Sequence, residues 1–240
     1  TQPAAAPPAA SPPAARRPAH APPAQVTTPP LPSPEAGRAT QVSAADASVA
    51  SPSVLGPPTL TAAELSGWFT GAGHRANTTV PIEVLAADYL KASGRTGVRG
   101  DVAFAQSVVE TGYFSFPAYG QVTEADNNFA GIGACDSCAH GWRFSSAMAG
   151  VSAQLQLLDA YASPVLVPTP LVGPVGVGGC CTTWISLSGT WATNPNYGYE
   201  ILSVYKQILD WTLPRRLAAA GLGPPVPARV HAPAPAGHQH

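Results

Sequence analysis

Gly100-Asp-Val-Ala-Phe-Ala-Gln-Ser-Val-Val-Glu110-Thr-Gly112 is the stretch on which the fold turns. Val102, Ala105, Val108 and Val109 lie on or near one helical face. Asp101 is the expected N-cap, and Gly112 is a natural stop. Glu110 therefore falls in the last turn, at the negative end of the helix dipole. Its neighbours Val108, Val109, Tyr113 and Phe114 are apolar or aromatic. The dipole and partial desolvation both disfavour the carboxylate and raise its pKa. An acid still protonated near neutral pH can give its proton to a glycosidic oxygen. The bland alternative is a solvated glutamate fraying off a helix end.

Upstream, Thr61-Ala-Ala-Glu64 reads as a capping box, followed by Leu65, Trp68 and Phe69 at helical spacing. A second helix is expected over Pro81–Ala92, with Pro81 in its first turn. Downstream, Tyr113 to Arg143 is irregular and reads as loops with a small β-hairpin. Ser145 or Ser146 caps a helix to about Tyr161, with Met148, Val151, Leu155 and Leu158 on one face. Val165 to Gly179 is apolar but broken by prolines, hence a loop. A short helix over Thr182–Leu187 follows. A final helix runs from Pro195 to about Trp211, stopped by Pro214. There are no repeats and no alternating βα pattern, so the class is mainly α (α+β).

Half of the 28 prolines precede Pro58, and a second Pro/Ala stretch runs from Pro214 to His240. Such segments cannot bury enough apolar surface to offset ordering. The expected division is a disordered arm over 1–57, a domain over 58–213 and a disordered tail over 214–240. The domain is large enough for one core. With 10% charged residues and a net charge of −1, neither nucleic acid nor an anionic membrane surface has electrostatic support. No apolar run is long enough to span a bilayer. Cys135, Cys138, Cys180 and Cys181 form two close pairs, read as disulfides of an exported chain. Their connectivity is open among three choices. The chain begins at Thr1, consistent with a removed targeting segment. No metal-ligand set and no phosphate loop is visible, so no metal or cofactor is expected, and the chain is read as a monomer.

Three blocks carry a family resemblance. Gln106-Ser-Val-Val-Glu110-Thr-Gly112 resembles the Q-x-x-x-E-[ST]-G motif of bacterial glucosaminidases, glycoside hydrolase family 73. Asn127-Asn-Phe-Ala-Gly-Ile-Gly133 resembles that family's N-N-L-F-G-I-K segment, and Trp191-Ala-Thr-Asn-Pro-Asn-Tyr197 its Y-A-T-D-P-x-Y segment. The departures are Ala130, Gly133, Trp191 and Asn194.

The resemblance implies a lysozyme-like helical domain, secreted or wall-associated, from a bacterium or a phage. It implies an endo-β-N-acetylglucosaminidase acting on peptidoglycan glycan strands. Glu110 takes the general-acid position, and Tyr197 matches a tyrosine near the active centre. Glycosidases commonly use a second carboxylate. Here the candidates are Asp136, between two cysteines, then Glu124, with Asp126 as a further loop acid. A substrate-assisted route needs none of them. Tyr113, Asn128, Phe129 and Trp142 are expected to line the groove, since sugar faces stack on aromatic rings. The alternatives are a lytic transglycosylase on the same fold and a non-catalytic wall-binding or virion-associated module.

Overall fold

Helix α3 (Gly100–Glu110) is the centre of the molecule, and every residue from Gly100 to Val108 is buried. The computed structural model describes residues 51–118, 120–134, 138–164 and 178–223. Around α3 stand α1 (Ala62–Gly71), α2 (Ile82–Thr96), α4 (Ala147–Ala162) and α5 (Tyr197–Ala219). Helix α3 packs on α2 and α5, while α2 also packs on α1 and α4. The architecture is mainly helical, as expected for a lysozyme-like domain, with two short 3-10 turns at Glu124–Asp126 and Ile185–Leu187.

Several ends follow local sequence. Thr61 and Glu64 close the capping box of α1, and the Ser146 side chain accepts from the Ala149 amide at the start of α4. Pro81 sits just ahead of α2. Asp101, in contrast, is not the N-cap of α3, which starts one residue earlier at Gly100. Its fully buried carboxylate is recruited from a distance instead. It accepts from the Thr59 amide (2.8 Å), the Arg99 guanidinium (3.0 Å) and the Tyr205 hydroxyl (3.0 Å). Burial would raise its pKa, but these donors outweigh it and hold the acid below its usual range.

The hairpin expected between Tyr113 and Arg143 is not found among the described residues. The region is tied by single backbone bonds, such as Trp142 N to Ile132 O (2.8 Å) and Phe144 N to Asp126 O (2.8 Å), and not by a ladder. The expected short helix over Thr182–Leu187 shrinks to the 3-10 turn at Ile185–Leu187.

Both outer boundaries of the expected domain move outward. Residues 51–57 belong to the packed body: Val54 is fully buried, and Ser53 and Leu55 form bridges to Thr183 and Val98. Pro214 does not stop α5, which continues to Ala219. A proline inside a helix removes one backbone bond. Here Arg215 donates to the Trp211 carbonyl (2.7 Å), and Arg216 anchors the last turns to Glu64 (2.5 Å) and the Thr59 carbonyl (2.9 Å). The expected disordered arm and tail otherwise lie outside the described residues.

Candidate active site

The i, i+4 spacing of Gln106 and Glu110 places both on one face of α3, a turn apart. Tyr197, the first residue of α5, inserts its phenol between them. Gln106 Nε2 donates to the Tyr197 hydroxyl (2.8 Å), which in turn donates to Glu110 Oε1. The indole Nε1 of Trp191 donates to the same oxygen (3.1 Å). The other oxygen, Oε2, lies beside Gly131, 3.5 Å from where a Cβ on that residue would stand. Burial pushes the Glu110 carboxyl up from 4.5 to about 7, against the opposing pull of Tyr197 and Trp191.

A left-handed turn follows Glu110 at once. Gly112, Tyr113, Phe114 and Phe116 all have positive φ. Left-handed backbone costs a non-glycine residue roughly 1–2 kcal/mol, so the turn needs compensation. Thr111 supplies part of it. Its hydroxyl donates to the Ser107 carbonyl (2.6 Å) and accepts from the Phe114 amide (2.9 Å), while its carbonyl accepts from the Phe116 amide (3.0 Å). Burial of Phe114 and Phe116 supplies the rest, at roughly 1.5–3 kcal/mol per large side chain. This gives a physical account of a hydroxyl followed by glycine after the acid.

The Asn-Asn block is scaffolding for the facing loop. Asn127 Nδ2 donates to the Phe144 carbonyl (3.2 Å). Asn128, fully buried, donates to the carbonyls of Ile132 and Trp142 (both 2.9 Å) and accepts from the Ile132 amide (3.0 Å). These side-chain hydrogen bonds are internal to the loop, which brings Gly131 against Glu110. Phe129 is also buried, in the core with Phe114 and Phe116. Neither of these two residues offers a side chain to a groove.

Tyr113 and Trp142 keep exposed surface. Tyr113 stacks on His74 with ring centroids 4.4 Å apart. Trp142 is 43% exposed, and its ring lies across Gly133. A Cβ there would come within 2.0 Å of the indole Cδ1, and the Gly133 backbone has φ +77. Glycine at 133 therefore goes with the indole above it. Two of the other departures are in one cluster: Trp191 packs against a small group built on Ala130, Ile132 and Ala153.

The candidate second acids are not alike. Glu124 heads its 3-10 turn, half-buried, and takes no part in the bonds around Glu110. Asp126 is not a solvated loop acid. It caps Thr123 through two bonds of 2.8 Å and pairs with Arg143 at 2.8 Å. Burial opposes these donors, yet they prevail and lower its pKa. Asp136 and Cys135 lie outside the described residues. The sulfurs of Cys180 and Cys181 meet, with Cα atoms 3.8 Å apart. Sequence reading missed Trp191 as a donor to the acid and missed Gln154 behind Gln106. The indole at 191 was visible as a departure, whereas Gln154, one of two glutamines on a largely apolar helix, gives no signal.

The glucosaminidase family model, described as mannosyl-glycoprotein endo-beta-N-acetylglucosaminidase, matches residues 86–210, which include Glu110, the Asn-Asn loop and Tyr197. The chain belongs to the glucosaminidase family. It is also 31% identical over 133 residues to an uncharacterized protein of Borreliella burgdorferi. That match covers 54% of this chain and 64% of the relative, so the chain spans less than two thirds of the relative's length. No helix among the described residues is long and apolar enough to cross a membrane.

Proposed function

We propose that this glucosaminidase-family chain cleaves the N-acetylglucosaminyl β-1,4 bond of peptidoglycan glycan strands, with Glu110 as general acid. The observation that carries the reading is the state of that carboxyl. Burial holds its pKa at about 7, so much of it keeps its proton at neutral pH. One oxygen is tied by Tyr197 and Trp191, and the other stands beside the side-chain-free Gly131. A glycosidic oxygen meeting Oε2 takes the proton as the bond to the anomeric carbon breaks, and the resulting carboxylate keeps its two donors. Tyr197 is buried, so its role is to orient the acid and not to touch the sugar. Trp142 offers an open ring for an apolar sugar face.

The group that completes the displacement is Asp136, Glu124 or the substrate's own N-acetyl group. Stereochemistry separates the base route from the nucleophile routes: a carboxylate that activates water inverts the anomeric centre, whereas a nucleophile, including the N-acetyl oxygen, retains it. The wall lies outside the cell membrane, and the meeting of the Cys180 and Cys181 sulfurs supports an oxidising, extracellular site of action. The test is mass spectrometry of products from purified peptidoglycan. New reducing N-acetylglucosamine ends support the proposal. Anhydro-muramic ends would make the chain a lytic transglycosylase, and binding without turnover a wall-binding module.

A further inference from the structure

Behind Tyr197 the hydrogen bonds continue to a glutamine on α4. Gln154 is fully buried, and both ends of its amide are fully used. Its Nε2 donates to the Ala103 carbonyl (3.2 Å) and to Gln106 Oε1 (2.8 Å). Its Oε1 lies within hydrogen-bond distance of the hydroxyls of Tyr89 (2.7 Å) and Ser107 (2.9 Å), which also bond to each other and so share two hydrogens among three contacts. A backbone carbonyl can only accept, so the Ala103 oxygen dictates that the NH2 end of the Gln154 amide is the end beside Gln106. Gln106 must then present its oxygen to Gln154 and its NH2 to Tyr197. The Tyr197 oxygen receives that N–H, which leaves its one hydrogen for Glu110. An indole N–H also only donates, so Oε1 of Glu110 takes two donors.

We propose that Gln154 is a positioning residue that fixes the direction of this chain, so that the acid carries its proton on Oε2, the oxygen beside Gly131. The chain starts at a helix carbonyl and ends on the acid, and each link admits one orientation. If the Gln106 amide turned round, the Tyr197 hydrogen would be drawn to its oxygen and Glu110 would lose a donor. The titratable groups along the chain are Tyr197 and Tyr89, whose phenols burial holds above their usual range. Both therefore stay protonated while Glu110 titrates. Among the described residues no charged side chain contributes to the Glu110 shift, which is set by burial against its two donors. The proposal rests on Glu110 being the acid, and its test has a readout that does not need turnover.

The experiment is a carbon-13 NMR titration of the Glu110 carboxyl in the full chain. In Gln154→Leu the Gln106 amide is released, and the loss of a donor to the charged form moves the midpoint up by about one pH unit. Tyr89→Phe removes a different bond to Gln154 but leaves the Ala103 anchor, so its midpoint matches the wild type. A Gln154→Leu midpoint equal to wild type, or an equal shift in Tyr89→Phe, would overturn the proposal. The wild type supplies a second readout should Gln154→Leu fail to fold. Nuclear Overhauser contacts are expected from the Gln106 side-chain NH2 to the Tyr197 ring, and their absence would also sink the idea. Should the midpoint move while wild type shows no glycan turnover, the functional reading fails and the directional chain stands.

Discussion

Glu110→Gln should make the protein more stable at alkaline pH while removing its proposed activity. The carboxyl's pKa is about 7 in the fold against an ordinary value of 4.5. Between those values the folded state holds a proton that the unfolded state has released. Stability therefore falls as pH rises through that window, and the full cost is present above pH 7. At 1.36 kcal/mol per unit, the shift corresponds to about 3 kcal/mol. Glutamine keeps an oxygen for Tyr197 and Trp191 but cannot ionise. Asp101, Asp126 and Glu64 are shifted the other way and lose stability in acid. Wild type and variant share them, so they cancel in the difference. The assay is urea unfolding of both proteins at pH 4 and pH 8. The gap between them should widen in the variant's favour by about 3 kcal/mol from acid to alkaline pH. Parallel pH dependences would refute the claim that the fold holds Glu110 protonated.

Thr111→Ala leaves the Phe114 amide without its side-chain acceptor and should cost about 1–3 kcal/mol by denaturant unfolding, with Thr111→Ser restoring most of it. Gly133→Ala drives a methyl into the Trp142 indole at a left-handed position. It should weaken glycan binding by titration calorimetry through displacement of that ring, and unchanged affinity would remove Trp142 from the binding surface. Arg216 holds Glu64 down at about 2. That stabilisation is present above the ordinary carboxylate value and is lost as pH falls from 4.5 through about 2. Arg216→Ala should accordingly speed amide exchange over residues 215–219 at pH 7 more than at pH 2.

Local features were legible where the chain reads itself. The Thr61–Glu64 box, the Ser146 cap and the Gln106–Glu110 spacing need only neighbours in sequence. The misreadings involve distant partners. Asp101 reads as a cap because Thr59 and Tyr205, which claim it, lie 42 and 104 residues away. Pro214 reads as a stop because nothing nearby announces the hold of Arg216 on α1. Around the site, residue type alone could not separate Phe129, sunk in the core, from Trp142, open to solvent. The Asn-Asn block pointed to the right loop, but the side chains that matter there turn inward, and what they deliver to Glu110 is a glycine.

Release of reducing ends from purified peptidoglycan, by wild type and Glu110→Gln side by side, tests the central claim most directly. The urea unfolding assay described above serves as the check that the variant folds. Wild type should release N-acetylglucosamine reducing ends, with a rate that falls as pH rises through about 7, and the variant should release none above background. A folded Glu110→Gln protein that keeps the wild-type rate would contradict the account.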